Sequence, residues 1–123
     1  IAFFRKAAEK HVCAVVSGSP HDDIVSALKL CGLLDSAKLI LGAGEYEAGK
    51  PSPSGYLKAA EMLGVDPADC VVIEDSGVGV ASGVAAGMKV VALDRGNSIP
   101  QNYSGAEWKV NRLSDIDFEK EFS

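Results

Sequence analysis

The sequence predicts an α/β fold, a Rossmann-like parallel sheet with flanking helices. Three observations predict it. Four short apolar runs, at 12–16, 38–41, 70–73 and 90–93, are rich in Val, Ile or Leu and lack strict alternation, as strands buried on both faces do. Helix-period stretches separate the runs, and Ser, Pro and Gly punctuate the borders between them. Strands alternating with helices of this length imply right-handed βαβ units in one parallel sheet.

The elements follow in order. Residues 1–10 read as a helix with Phe3, Phe4 and Ala7 on one side. The run at 12–16 is the first strand. After it, Ser19 can cap a helix, Pro20 suits the first helical position and Asp22 favours the helix's positive end. Ile24, Val25, Leu28 and Cys31 form the apolar face, and Gly32 is the stop. The second strand, at 38–41, leads to a helix capped by Ser52 and opened by Pro53. Tyr56, Leu57, Ala60 and Leu63 line its face, and Gly64 ends it. Asp66-Pro67 turns the chain into the third strand at 70–73. A third helix runs from near Ser76 to near Gly87, followed by the fourth strand at 90–93. Residues 97–105 read as a loop, 108–110 as a short edge strand, and Ser114-Asp115-Ile116-Asp117 as the cap of a last short helix. There is no repeat, low-complexity tract or linker, so residues 1–123 are expected to form one domain.

Composition narrows the functional classes. The chain is 47% hydrophobic and 24% charged, with a net charge of −5, as a globular protein should be. Lys and Arg are scattered, which argues against a nucleic-acid surface. No apolar run approaches the roughly 18 residues of a membrane span, and residues 1–10 lack a secretory pattern. A cytoplasmic protein is expected. The first residue is Ile rather than Met, which suggests a trimmed or excerpted chain. Cys13, Cys31 and Cys70 form no CxxC or Cys/His cluster, so buried thiols in a reducing compartment are expected rather than zinc.

In open parallel sheets, ligands bind beyond the carboxyl ends of the strands. Ser17-Gly18-Ser19 follow the first strand, Gly49-Lys50-Pro51 the second, and Glu74-Asp75-Ser76-Gly77 the third. Ser17 and the backbone N–H groups after it, starting with Gly18, could hold phosphate oxygens at the start of a helix. Lys50 could add a point charge. Glu74 and Asp75 are hard oxygen ligands suited to Mg²⁺. Each also has a plain structural reading: a turn serine, a solvated lysine, and acids that favour the next helix's N-terminus. Their shared placement at successive strand ends favours the functional reading. Gly77, Gly79 and Gly83 also suggest a dinucleotide fingerprint, but their spacing is one residue too long. Close helix–strand packing explains them better.

Val15-Val16-Ser17-Gly18-Ser19 resembles the second motif of the haloacid dehalogenase superfamily. Gly49-Lys50-Pro51-Ser52-Pro53 resembles the third. Val71-Val72-Ile73-Glu74-Asp75-Ser76, with Gly77-Val78-Gly79-Val80 and Ala85-Ala86-Gly87-Met88, resembles the fourth and its helix. The wording is nearest the β-phosphoglucomutase-like phosphatases, and the resemblance covers residues 1 to about 96. It implies that Ser17 and Lys50 bind the transferring phosphoryl group, that Lys50 also contacts the nucleophile, and that Glu74 and Asp75 hold Mg²⁺. It further implies Mg²⁺-dependent phosphoryl transfer on a small phosphorylated metabolite.

The family's first motif, an Asp-x-Asp on the central strand, has no counterpart after an apolar strand here. Asp115-Ile116-Asp117 lies in a polar context near the C-terminus. The helical cap domain of the subgroup is also lacking. The chain is therefore expected to be a partial core domain, a fragment without the nucleophile strand and inactive alone. The alternative is a non-catalytic module that binds phosphate or a protein partner. Expected partners are the small phosphorylated metabolite, and either the other half of the protein or a second copy. The strand order implied is second, first, third, fourth, with the first and third either paired directly or separated by a gap.

Overall fold

The computed structural model describes residues 11–94 and 101–112. The helix expected at 1–10, the start of the 97–105 loop and the cap expected at Ser114 lie outside them. The strands are β1 (Ala14–Val16), β2 (Leu39–Leu41), β3 (Val71–Glu74), β4 (Lys89–Leu93) and β5 (Trp108–Val110), and the helices are α1 (His21–Leu30), α2 (Ser54–Leu63) and α3 (Gly77–Ala85). Short 3₁₀ turns at Leu34–Ser36 and Pro67–Asp69 lead into β2 and β3.

All strand pairings are parallel. β1 pairs with β2, Val15 opposite Ile40; β3 pairs with β4, Val72 opposite Val90; and β4 pairs with β5, Ala92 opposite Lys109. The pairings make a two-stranded sheet and a three-stranded sheet rather than one continuous sheet. The expected neighbours β1 and β3 are not hydrogen-bonded as a ladder, so of the two arrangements the sequence left open, the structure has the gap. The edge strand read at 108–110 extends the second sheet on its far side.

The core lies in the three-stranded half. Ala60, Val72, Val80, Ala86, Met88, Val90 and Ala92 form one buried cluster. β4 is its centre because neighbours flank it on both sides and α3 covers it. Gly83 permits that cover: a Cβ there would stand 2.8 Å from Val90 Cγ2 and 3.2 Å from Val72 Cγ1. Close packing is thus the use of this glycine, as the sequence reading preferred. α2 joins the halves. Its Gly55 approaches Val16 of β1 closely, while Ala60 and Tyr56 face the core cluster.

Helix ends agree with the sequence except at two starts. Ser19 does not cap α1. Pro20 is the residue before the helix, with no side-chain cap, and Ser19 instead uses its backbone, accepting from Ala43 N–H at 2.8 Å. Likewise Pro53 precedes α2 rather than opening it, and Ser52 Oγ accepts from Ser54 N–H at 3.2 Å. Proline's fixed φ suits either position, so spacing alone does not separate them. α3 matches: Ser76 Oγ accepts from Gly79 N–H at 3.1 Å. α2 ends at Gly64, whose φ of 70° is the left-handed conformation expected there. The first strand begins two residues late, at Ala14, and Val12 is exposed. The thiols are less buried than expected: Cys13 and Cys70 are half-buried and Cys31 is exposed. Partial burial still raises the Cys13 and Cys70 thiol pKa values above the ordinary cysteine value, and Asp69 and Asp66 add to it at Cys70.

Candidate functional site

Of the strand-end residues singled out in the sequence, Lys50 and Glu74 have their side chains in direct contact. Lys50 Nζ donates to the Val16 carbonyl at the end of β1, at 3.2 Å, and to Glu74 Oε2 at the end of β3, at 2.5 Å. One lysine from the β2–α2 connection thus bridges the ends of two strands that do not pair. The ion pair is shielded, with the Lys50 side chain 20% and that of Glu74 10% exposed, so it is less screened than a surface pair.

Ser17 follows Val16 directly. Its Oγ accepts from Ser19 N–H at 3.1 Å, closing the turn that carries Gly18. That turn leads through Pro20 to the first N–H groups of α1, which have no partner within the helix. Gly18 is exposed, and nothing stands within 4 Å of where its Cβ would be.

The two adjacent carboxylates face different surroundings. Successive residues of a strand point to opposite sides. Glu74 turns inward: its carboxylate lies against Gly79 of α3, where a Cβ would stand 2.0 Å from Oε1. Asp75 is exposed at the rim. Among the described residues there is no group of three or more His, Cys, Asp or Glu side chains able to hold a metal ion. A Mg²⁺ ion needs only one or two carboxylates when phosphate and water complete its shell. Asp75 stands at the rim, whereas the Glu74 carboxylate, expected from the sequence to share the ion, is turned to Lys50 and Tyr56.

Several residues here were not singled out in the sequence as site residues. Each of the chain's three tyrosines donates to a rim residue. Tyr46 bonds the Ser17 carbonyl at 3.1 Å, Tyr56 bonds Glu74 Oε2, and Tyr103 bonds the Asp75 carbonyl at 3.1 Å. Burial, followed by the Glu74 charge, pushes the Tyr56 phenol far above the ordinary tyrosine value. Gln101, next to Asn102 and Tyr103, accepts from Gly77 N–H at 2.9 Å through Oε1, so this strap holds the start of α3 as well. The available signal was chemical: a tyrosine on an apolar helix face still carries a hydroxyl that needs a partner.

A second pair joins the start of α1 to the segment after β2. His21 Nδ1 and Glu45 Oε1 are 2.6 Å apart, and the same oxygen accepts from Gly42 N–H at 2.8 Å. A carboxylate can only accept, so Nδ1 carries the proton. The Gly42 N–H first, and then His21, hold the Glu45 carboxyl below the ordinary glutamate value. His21 is the first residue of α1.

Comparison with known proteins bears on the family and the fold. The family model of haloacid dehalogenase-like hydrolases matches residues 1–87. The bifunctional riboflavin kinase/FMN phosphatase of Arabidopsis thaliana is 42% identical over 111 residues, covering 87% of this chain and 28% of its own length. The β-phosphoglucomutase of Bacillus subtilis is 36% identical over 92 residues, covering 75% of this chain and 39% of its own. A haloacid dehalogenase family hydrolase from Deinococcus radiodurans, solved with bound phosphate and sodium, superposes with a TM-score of 0.80 at 30% identity. That match covers 97% of this chain and 56% of the other. The chain therefore spans well under half the length of these two curated relatives.

Proposed function

The chain belongs to the haloacid dehalogenase-like hydrolase family, and from that premise we propose that it forms the phosphate- and metal-binding side of a phosphohydrolase or phosphomutase site. The reaction proposed is Mg²⁺-dependent phosphoryl transfer on a small phosphorylated metabolite. The single observation that carries this reading is the placement of Lys50 Nζ between the ends of β1 and β3, 3.2 Å from the Val16 carbonyl and 2.5 Å from Glu74.

Each residue then has a task. The Ser17 hydroxyl and the backbone N–H of Gly18 take phosphoryl oxygens near the positive end of α1. Lys50, the catalytic cation, offsets charge as the phosphoryl group transfers. Asp75 would hold Mg²⁺ at the rim, where the ion would supply charge neutralisation on phosphoryl oxygens, while the inward Glu74 holds Lys50. Relatives named as a phosphatase and a phosphomutase support the class of substrate.

These groups assist an attack without supplying the attacking atom. No Asp-x-Asp follows an apolar strand within the 123 residues. Asp75 is assigned to the metal, and the partner of the Ser17 hydroxyl among the described residues, the Ser19 N–H, is a donor and not a base. The chain alone should therefore show no Mg²⁺-dependent hydrolysis of an aryl phosphate. Adding a separately made polypeptide that carries an Asp-x-Asp strand and a cap should restore it. Turnover by the chain alone, well above background and abolished by Asp75→Asn, would overturn this assignment.

A further inference from the structure

We infer that Tyr56 is a positioning residue for Lys50, acting through Glu74. The inference rests on the phosphate site proposed above for its purpose, but not for its geometry.

Tyr56 touches both members of the ion pair. Its hydroxyl donates to Glu74 Oε2, the same oxygen that accepts from Lys50 Nζ. Its ring lies beneath the ammonium, with Nζ 5.0 Å from the centroid, within cation–π range. A lysine stem has many rotamers, and holding it in one costs side-chain entropy. Here the ammonium has three fixed acceptors on three elements: the Val16 carbonyl of β1, the Glu74 carboxylate of β3 and the Tyr56 π-face of α2.

Glu74 must itself be held for this to work. Its Oε1 side is confined by Gly79, where no side chain fits. Its Oε2 side is confined by the Tyr56 hydroxyl. A neutral donor suits this position, because it fixes the carboxylate without bringing a second cation to compete with Lys50. Packing does not explain the hydroxyl, since Tyr56 meets the core cluster through its ring, and a phenylalanine would fill the same space.

The test uses the full chain as wild type, Tyr56→Phe, Tyr56→Leu, Lys50→Ala and Asp66→Ala. The last removes a cap at the opposite rim and controls for general destabilisation. Two readouts are taken: affinity for inorganic phosphate in Mg²⁺ by calorimetry, and the Lys50 ammonium–water exchange rate by nitrogen-detected NMR. Tyr56→Phe should weaken phosphate binding about tenfold and speed exchange by a similar factor, the scale of one hydrogen bond to a charged group. Tyr56→Leu should do more on both, and Asp66→Ala should change neither. Wild-type affinity and wild-type exchange in Tyr56→Phe would overturn the inference. If wild type binds no phosphate, or Lys50→Ala binds it equally well, the phosphate site fails. The exchange rate then decides the positioning role alone, faster exchange in Tyr56→Phe upholding it and an unchanged rate overturning it.

Discussion

β1 and β4 are built from nearly the same letters, Ala-Val-Val in one and Val-Val-Ala at the centre of the other, yet they occupy different environments. Val90, Val91 and Ala92 of β4 are fully buried, whereas all three residues of β1 are half-buried. β4 has a strand on each side and α3 over it, while β1 has one strand neighbour among the described residues. Hydrophobic stabilisation scales with area removed from water, so identical residues contribute more in the three-stranded half. The two-stranded half carries the Ser17 turn and His21, the three-stranded half the carboxylates, and Lys50 lies across both. The more buried half supports the group proposed for the metal; the less buried half supports those proposed for phosphate.

The largest expected effect tests the packed half. Gly83→Val would force methyl groups toward Val90 and Val72, where a Cβ alone would come to 2.8 Å. It should cost about 3 kcal/mol in urea denaturation, the upper range of overpacking. A near-neutral result would mean that α3 lifts easily and that the contrast between the halves is overstated.

The next effect tests the link. Lys50→Ala leaves Glu74 shielded with the Tyr56 hydroxyl as its remaining donor among the described residues, and should cost about 2 kcal/mol, the scale of a lost charged hydrogen bond. Denaturation monitored at Trp108, in the three-stranded half, should register it. A cost near zero would show that Glu74 reaches water once the lysine is gone.

Capping gives a smaller and more direct comparison. Ser76→Ala removes the cap of α3 and should lower stability by about 1 kcal/mol. Ser19→Ala at the corresponding place before α1 should stay within about 0.5 kcal/mol, because Ser19 works through its backbone. Equal losses would mean that the Ser19 side chain caps α1 after all.

The smallest effect is the pH dependence of the two-stranded half. The Glu45 carboxyl is lowered in the folded chain by Gly42 and His21. A depressed carboxylate contributes stability that is complete above the unfolded value and lost as pH falls through the folded one. The melting difference between wild type and Glu45→Gln should shrink as pH falls below about 4, the ordinary glutamate range. A difference that grows on acidification would reverse the sign and exclude the assignment.

Local grammar determined most of the fold. Apolar runs without alternation located β1 to β4, and the Ser76 cap and Gly64 stop bounded helices correctly, because each signal is written within a few neighbouring residues. The same grammar put Ser17, Lys50, Glu74 and Asp75 at strand ends, and a family motif explained their order. Tertiary structure alone decided what lies between separated residues. The hydroxyl of Tyr56 finds Glu74 across 18 residues, Lys50 finds Glu74 across 24 and Val16 across 34, and His21 finds Glu45 across 24. It also decided that Glu74 faces inward and Asp75 outward, and that β1 and β3 stand in separate sheets. Such choices depend on which elements close against one another, and closure is settled by the packing of the whole chain rather than by the preference of any residue for its neighbours.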